Sequence, residues 1–188
     1  MALITTLAEL AQQEVEFEGN IPWMYLDTAA NVTVGVGFML PDERAAEAMR
    51  FRLPNGLLAH PLDIIADFHR VKAKTAGMDA EAYKCPTSVY LSDATIMATL
   101  EEKLDTAQTQ MCVAYPAYTT WPATAKMGAL DMGYNLGVLR LQAEYPDWDK
   151  AVQAQDWKEA AVQCARNAWL PAFAARNEWT KQQFLAAI

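Results

Sequence analysis

One stretch of this chain changes its period, and that change limits the possible folds more than any other feature. Residues 3 to 18 repeat apolar positions at helical spacing, with Ile4, Leu7, Ala11 and Val15 on one face. Gly19 and Asn20 stop the helix, and Pro22 confirms the break. From 23 to 39 the period falls to two around the β-branched run "VTVGVGF", with "DTAAN" as the turn between two arms. A short hairpin is expected there, and nearly everything after it reads helical. "DERAAEAM" opens with Asp42 as N-cap. Helices follow at 62–75, 92–112 and 122–135, then near 146–153, 156–167 and 171–187, while "KCPTSVYL" reads as extended. The expected class is α+β, mostly α, in one domain. Its parts are an N-terminal lobe with the hairpin over about 1–91, a connecting helix over about 92–112 and a helical C-terminal lobe over about 113–188.

Composition then removes several function classes. The 53% hydrophobic and 20% charged content supports a folded core rather than disorder. Fifteen basic against 23 acidic residues give a net charge of -8 with no basic stripe, so nucleic acid is not expected as a partner. The start "MALITTLAEL" lacks a basic n-region and is interrupted by Glu9, so no signal peptide is expected in it. The longest uncharged window, Asp105 to Lys126, contains Pro116 and Pro122 and makes a poor membrane span. The expectation is a chain made in the cytoplasm without a membrane anchor. Cys85, Cys112 and Cys164 are odd in number and far apart, which suits reduced, mostly buried thiols better than disulfides or a metal site. His60 and His69 lack neighbouring ligands and suit capping or exposed roles, so no metal or other cofactor is expected.

The acids around the period change are the candidates for chemistry. On a helical wheel Glu18 continues the stripe of Ile4, Leu7, Ala11 and Val15, Glu14 sits at its flank and Glu16 points away. A carboxyl group held against apolar surface has its charged form disfavoured, which keeps a proton available for donation. Glu18 also fits a partly buried acid paired with an arginine. Asp27 opens the "DTAAN" turn, where Asp is favoured for its backbone hydrogen bonds. Thr33 is an ordinary strand residue by type. Two carboxyl groups flanking a small cleft are nevertheless the groups glycoside hydrolysis requires, one to protonate the leaving oxygen and one to act on the opposite face of the sugar.

Glu18-Gly19, Asp27 nine residues after the glutamate, Thr33 six residues further, the segment "YLDTAANVTVGVG" and the later "GYNLG" together resemble the phage-type lysozymes, glycoside hydrolase family 24. The resemblance is carried most strongly by the Glu-to-Thr segment and extends loosely over most of the chain. It implies a lysozyme-like fold and a muramidase that cleaves peptidoglycan between N-acetylmuramic acid and N-acetylglucosamine. It assigns Glu18 as general acid, with Asp27 and Thr33 placing the attacking water. Net inversion would follow, with the carboxyl groups roughly 6.5–9.5 Å apart. The chain departs from the family at Phe38, where a histidine is common, in the longer segment 55–90 and in its acidic charge. These features are similar to lysozyme-like domains attached to bacterial type VI secretion effectors. That resemblance implies action in the periplasm, delivery by a secretion apparatus or fusion partner, and an immunity protein as inhibitor. A phage endolysin remains the other form of the same activity, and a non-catalytic peptidoglycan-binding or partner-binding module is the alternative function.

The same resemblance marks further positions. Tyr134 and Asn135 lie where the family turns polar groups toward substrate, although Asn135 also suits a helix C-terminal cap. Arg176 lies where the family places an arginine near the catalytic glutamate, with Arg166 as its rival; a solvated surface role fits either. Trp148, Trp157, Trp169 and Trp179 stand at helical positions that suit core packing. Trp23, between the two acids, is the tryptophan kept as a substrate contact.

Overall fold

The computed structural model describes residues 2–166 and 171–188, with side chains over 7–166 and from 173 onward. The architecture is α+β and mostly helical. It comprises an N-terminal helix, a three-stranded antiparallel sheet, a long helix and a helical C-terminal part. The chain forms two compact units: Met1–Phe17 with Glu101–Ile188, and Glu18–Leu100. The first helix up to residue 17 therefore groups with the C-terminal residues, whereas the sequence expectation ran one lobe from 1 to 91.

The unit Glu18–Leu100 holds the sheet. Strands β1 (Ile21–Leu26), β2 (Val32–Gly35) and β3 (Phe38–Leu40) pair antiparallel in that order. The expected hairpin is thus a meander, because "VTVGVGF" is two strands and a turn. Gly35 and Gly37 take φ of +64° and +68°, the left-handed region that reverses the chain at little cost for glycine. Val36, tucked between them, is buried, so the alternation of letters continues through the reversal. Met24, Leu26, Val32 and Val34 bury one face of the sheet. Helix α2 (Glu43–Glu47) is capped as expected, Asp42 Oδ1 accepting from Ala45 N at 2.8 Å. Helix α3 (Pro61–Lys72) packs on β1 and β2 and is capped by His60, whose Nδ1 accepts from Leu62 N at 3.3 Å. The "KCPTSVYL" stretch is less extended than expected: it turns at 86–87, and Tyr90 makes isolated bridges to Trp23 and Arg52.

Helix α4 (Asp93–Ala114) contributes its first residues to this unit and the rest to the other. Its Leu100, Leu104 and Ala107 are buried at helical spacing. Burying a leucine contributes about 1.5–3 kcal/mol relative to leaving it exposed.

The other unit builds its core around helix α5 (Ala123–Leu136), buried continuously from Gly128 to Gly133. A Cβ on Gly128 would meet Gln183 Cβ at 3.1 Å and the Phe184 ring at 3.3 Å, so the glycine permits close packing on helix α9 (Pro171–Leu185). Gly137, at φ +86°, ends α5 and leads at once into α6 (Val138–Glu144), a helix too short for its periodicity to be read. Helices α7 (Pro146–Gln153) and α8 (Trp157–Gln163) complete the unit, and α8 stops four residues before its expected end at 167, which lies outside the described residues. Trp148 and Trp157 are core residues as expected, in edge and stacked contacts with Phe184. Trp179 meets the edge of Phe17 at 5.7 Å, and Trp169 lies outside the described residues. Cys164 is buried, while Cys85 and Cys112 are only half-buried, so the expectation of mostly buried thiols holds for one of the three.

Candidate active site

Glu18 is the last residue of helix α1 (Ala2–Glu18), and Gly19 at φ +76° turns the chain out of it. The Glu18 side chain is exposed, not held against apolar surface as the helical wheel suggested. Leu7, Leu10, Ala11 and Glu14 occupy the same side, but only Leu10, Ala11 and Glu14 are buried. Glu18 continues their angular stripe one turn beyond the last covering group. The wheel gives a direction; whether anything covers that direction depends on packing. The buried acid of the helix is therefore Glu14, with 0% of its surface exposed. Glu16 is an exposed bystander as expected, accepting from Gln13 Nε2 at 2.9 Å.

Asp27 closes β1 and organises the turn that follows. Its Oδ1 accepts from Ala29 N at 2.9 Å and Asn31 N at 2.8 Å, and its Oδ2 accepts from Asn31 Nδ2 at 3.0 Å. Asp27 N donates to Asn31 O at 3.0 Å and closes the loop, and Lys72 Nζ holds its tip by donating to Ala30 O at 2.8 Å. The turn explanation for Asp27 is thus present in full. It also fixes the carboxylate and leaves Oδ2 the less occupied oxygen, since a carboxylate offers about four lone-pair sites.

Thr33 is 4% exposed in β2, and its hydroxyl donates to Asn31 O at 3.3 Å. Its cross-strand partner is Tyr25. Directly opposed residues in an antiparallel pair share a face, so Tyr25 and Thr33 stand on the side opposite Met24 and Leu26. Burial, then the charges of Asp27 and Glu18, push the Tyr25 phenol above its usual range. Both acids therefore act on one ring. Tyr25 and Asn31 were not among the residues singled out in the sequence. Their signals were present: Tyr25 stands two positions before Asp27 in an alternating strand, and Asn31 closes the same turn.

Trp23 lies in the same unit but is already engaged. Its Nε1 donates to Ala80 O at 2.9 Å, and Lys84 Nζ sits 4.1 Å from the ring centroid. It lines a cavity of about 400 Å³ with Tyr90, Cys85 and Lys84. Burial works against ionisation of the Cys85 thiol there, but bonds with Ser88 and Thr87 outweigh it and lower its pKa.

Tyr134 and Asn135 are half-buried in the last turn of α5, in the other unit. Arg166 and Arg176, weighed as rivals or as solvated residues, are both buried in that unit, and Asp131 joins them. Arg176 donates through Nε to Asp131 Oδ1 at 2.8 Å and through Nη2 to Glu14 Oε1 and Oε2 at 2.9 and 2.7 Å. Arg166 Nη2 donates to Asp131 Oδ2, which also accepts from Thr180 Oγ1 at 2.5 Å. Burial raises the Asp131 pKa, but the Arg166 and Arg176 charges with these hydrogen bonds outweigh it and hold the group below the usual carboxylate range. Two cations and two anions so arranged neutralise one another inside a low-dielectric core.

Among the described residues no group of three His, Cys, Asp or Glu side chains is placed to hold a metal ion, and no helix is long and apolar enough to cross a membrane. No protein-family model matches the chain, and no curated protein matches its sequence.

Proposed function

We propose that this chain is a peptidoglycan hydrolase of the muramidase type, with a lysozyme-like fold. The observation that carries the reading is local geometry. Glu18 ends the helix that leads into the sheet, Asp27 is held at the end of β1 by the turn it organises, and Thr33 stands in register opposite Tyr25, which lies two positions before Asp27. A helix end leading into a small sheet, then a long helix and a helical remainder, is also the order the resemblance to phage-type lysozymes implies.

Glu18, exposed at the helix end, acts as the general acid on the glycosidic oxygen. Asp27 accepts a proton from the attacking water at Oδ2. The hydroxyl of Thr33 has its own proton turned to Asn31 O, so it receives the water's second hydrogen and leaves a lone pair aimed at the anomeric carbon. One proton enters the leaving group and one leaves the water, which is the balance of an inverting hydrolysis. The wider setting proposed for the activity is cell-wall attack in the periplasm, with an immunity protein as the partner of an effector form.

Digestion of purified peptidoglycan, with products read by mass spectrometry, tests the reading. The wild-type chain should release muropeptides with reducing N-acetylmuramic ends, and Glu18→Gln should slow release by about 10²–10⁴-fold. A Glu18→Gln variant as fast as wild type would remove Glu18 from the chemistry. A wild-type chain that binds peptidoglycan without cutting it would leave the binding-module function in its place.

A further inference from the structure

A donor is missing from the proposed chemistry, and Tyr25 supplies one. The Asp27 carboxylate only accepts hydrogen bonds, and Thr33 has turned its hydroxyl proton to Asn31 O. A sugar carries hydroxyl and N-acetyl carbonyl oxygens that need donors if they are to be held in register. Tyr83, Tyr115 and Tyr118 direct their hydroxyl protons inward, to Thr75 O, Asp149 Oδ1 and Lys126 O. Tyr25 does not: among the described residues nothing is hydrogen-bonded to its hydroxyl. The side chain is half-buried on β1, opposite Thr33 and two positions before Asp27. A half-buried tyrosine with an unused hydroxyl suits ligand contact better than core filling.

We infer that Tyr25 is a further substrate-binding residue of this site, its hydroxyl donating to an oxygen of the sugar held at Glu18 and Asp27. This rests on the proposed muramidase reading. Burial, and after it the negative charge of the two carboxylates, disfavours a phenolate, so the hydroxyl stays a donor. The acceptor is a ring hydroxyl or the N-acetyl carbonyl, and the two are separable by experiment.

The variant is Tyr25→Phe, which keeps the ring and deletes the hydroxyl. It is assayed on purified peptidoglycan before and after chemical de-N-acetylation, with its thermal melt recorded alongside. Loss of one neutral hydrogen bond to substrate should lower kcat/KM about three- to tenfold, with the melting temperature unchanged. A loss that disappears on the de-N-acetylated polymer assigns the carbonyl, and one that persists assigns a hydroxyl. If wild type cleaves and Tyr25→Phe cleaves equally well, the role of Tyr25 is refuted while the muramidase reading stands. If wild type does not cleave, both fall together.

Discussion

Arg176→Met is the sharpest test of how this chain organises its interior charge. Arg176 is 2% exposed and Glu14 is 0% exposed, and their two hydrogen bonds join residues 162 positions apart. Methionine fills much of the arginine stem but leaves the Glu14 carboxylate buried without those bonds, and Asp131 without one of its donors. Breaking a buried ion pair from one side costs about 3–5 kcal/mol, most of it the stranded charge. For chains of this length each kcal/mol moves Tm by about 2–4 °C. The product is a fall of about 6–20 °C, read by circular dichroism at neutral pH. Adding Glu14→Gln should recover part of it, because the stranded charge is then gone. A coupling of about 0.5–3 kcal/mol is expected for residues in contact. A drop under about 3 °C, or strictly additive single and double variants, would refute the picture of a desolvated and mutually neutralised cluster.

Two further outcomes follow from the same structure. Asp131 has its folded pKa depressed below the ordinary 3.8 by the neighbouring cations and hydrogen bonds, against the opposing effect of burial. The unfolded chain therefore binds the proton more tightly, so this contribution is complete above about pH 4 and is lost as pH falls through the depressed folded value. The urea midpoint of wild type should fall on acidification from about pH 5 toward pH 3, and Asp131→Asn should show a shallower slope; equal slopes would count against it. Gly35→Ala should destabilise more than Gly37→Ala. Both carry positive φ, which alone costs a non-glycine residue about 1–2 kcal/mol. Only Gly35 would also drive a Cβ to 2.9 Å from Phe38 Cε2, whereas nothing lies within 4 Å at Gly37. Urea unfolding midpoints compare them, and a Gly37→Ala variant as damaged as Gly35→Ala would show that strain, not crowding, governs this turn.

Local signals in the sequence were strong enough to locate α1, the stop at Gly19, the turn at Asp27, the Asp42 cap and the long helix after Ser92. Each depends on residues within a few positions of one another, through periodicity, capping or left-handed backbone. The spacing of Glu18, Asp27 and Thr33 is legible for the same reason: one helix end and one short turn place all three. Tertiary packing decided what local pattern could not. Angular position on a wheel is nearly the same for Glu18 as for the buried residues behind it, yet packing buried Glu14 and left Glu18 exposed. In the linear chain Arg176 and Arg166 suit solvated roles or a place near the glutamate, and nothing there ties either to Asp131. They become one cluster because an apolar interior cannot hold any of these charges alone. The third strand is not legible in the sequence because two glycines at positive φ reverse the chain without disturbing its alternation. The nearness of Tyr25 to Asp27 is legible in the alternating strand, but its pairing with Thr33 lies across a strand pair, where register, and not distance along the sequence, sets the neighbours.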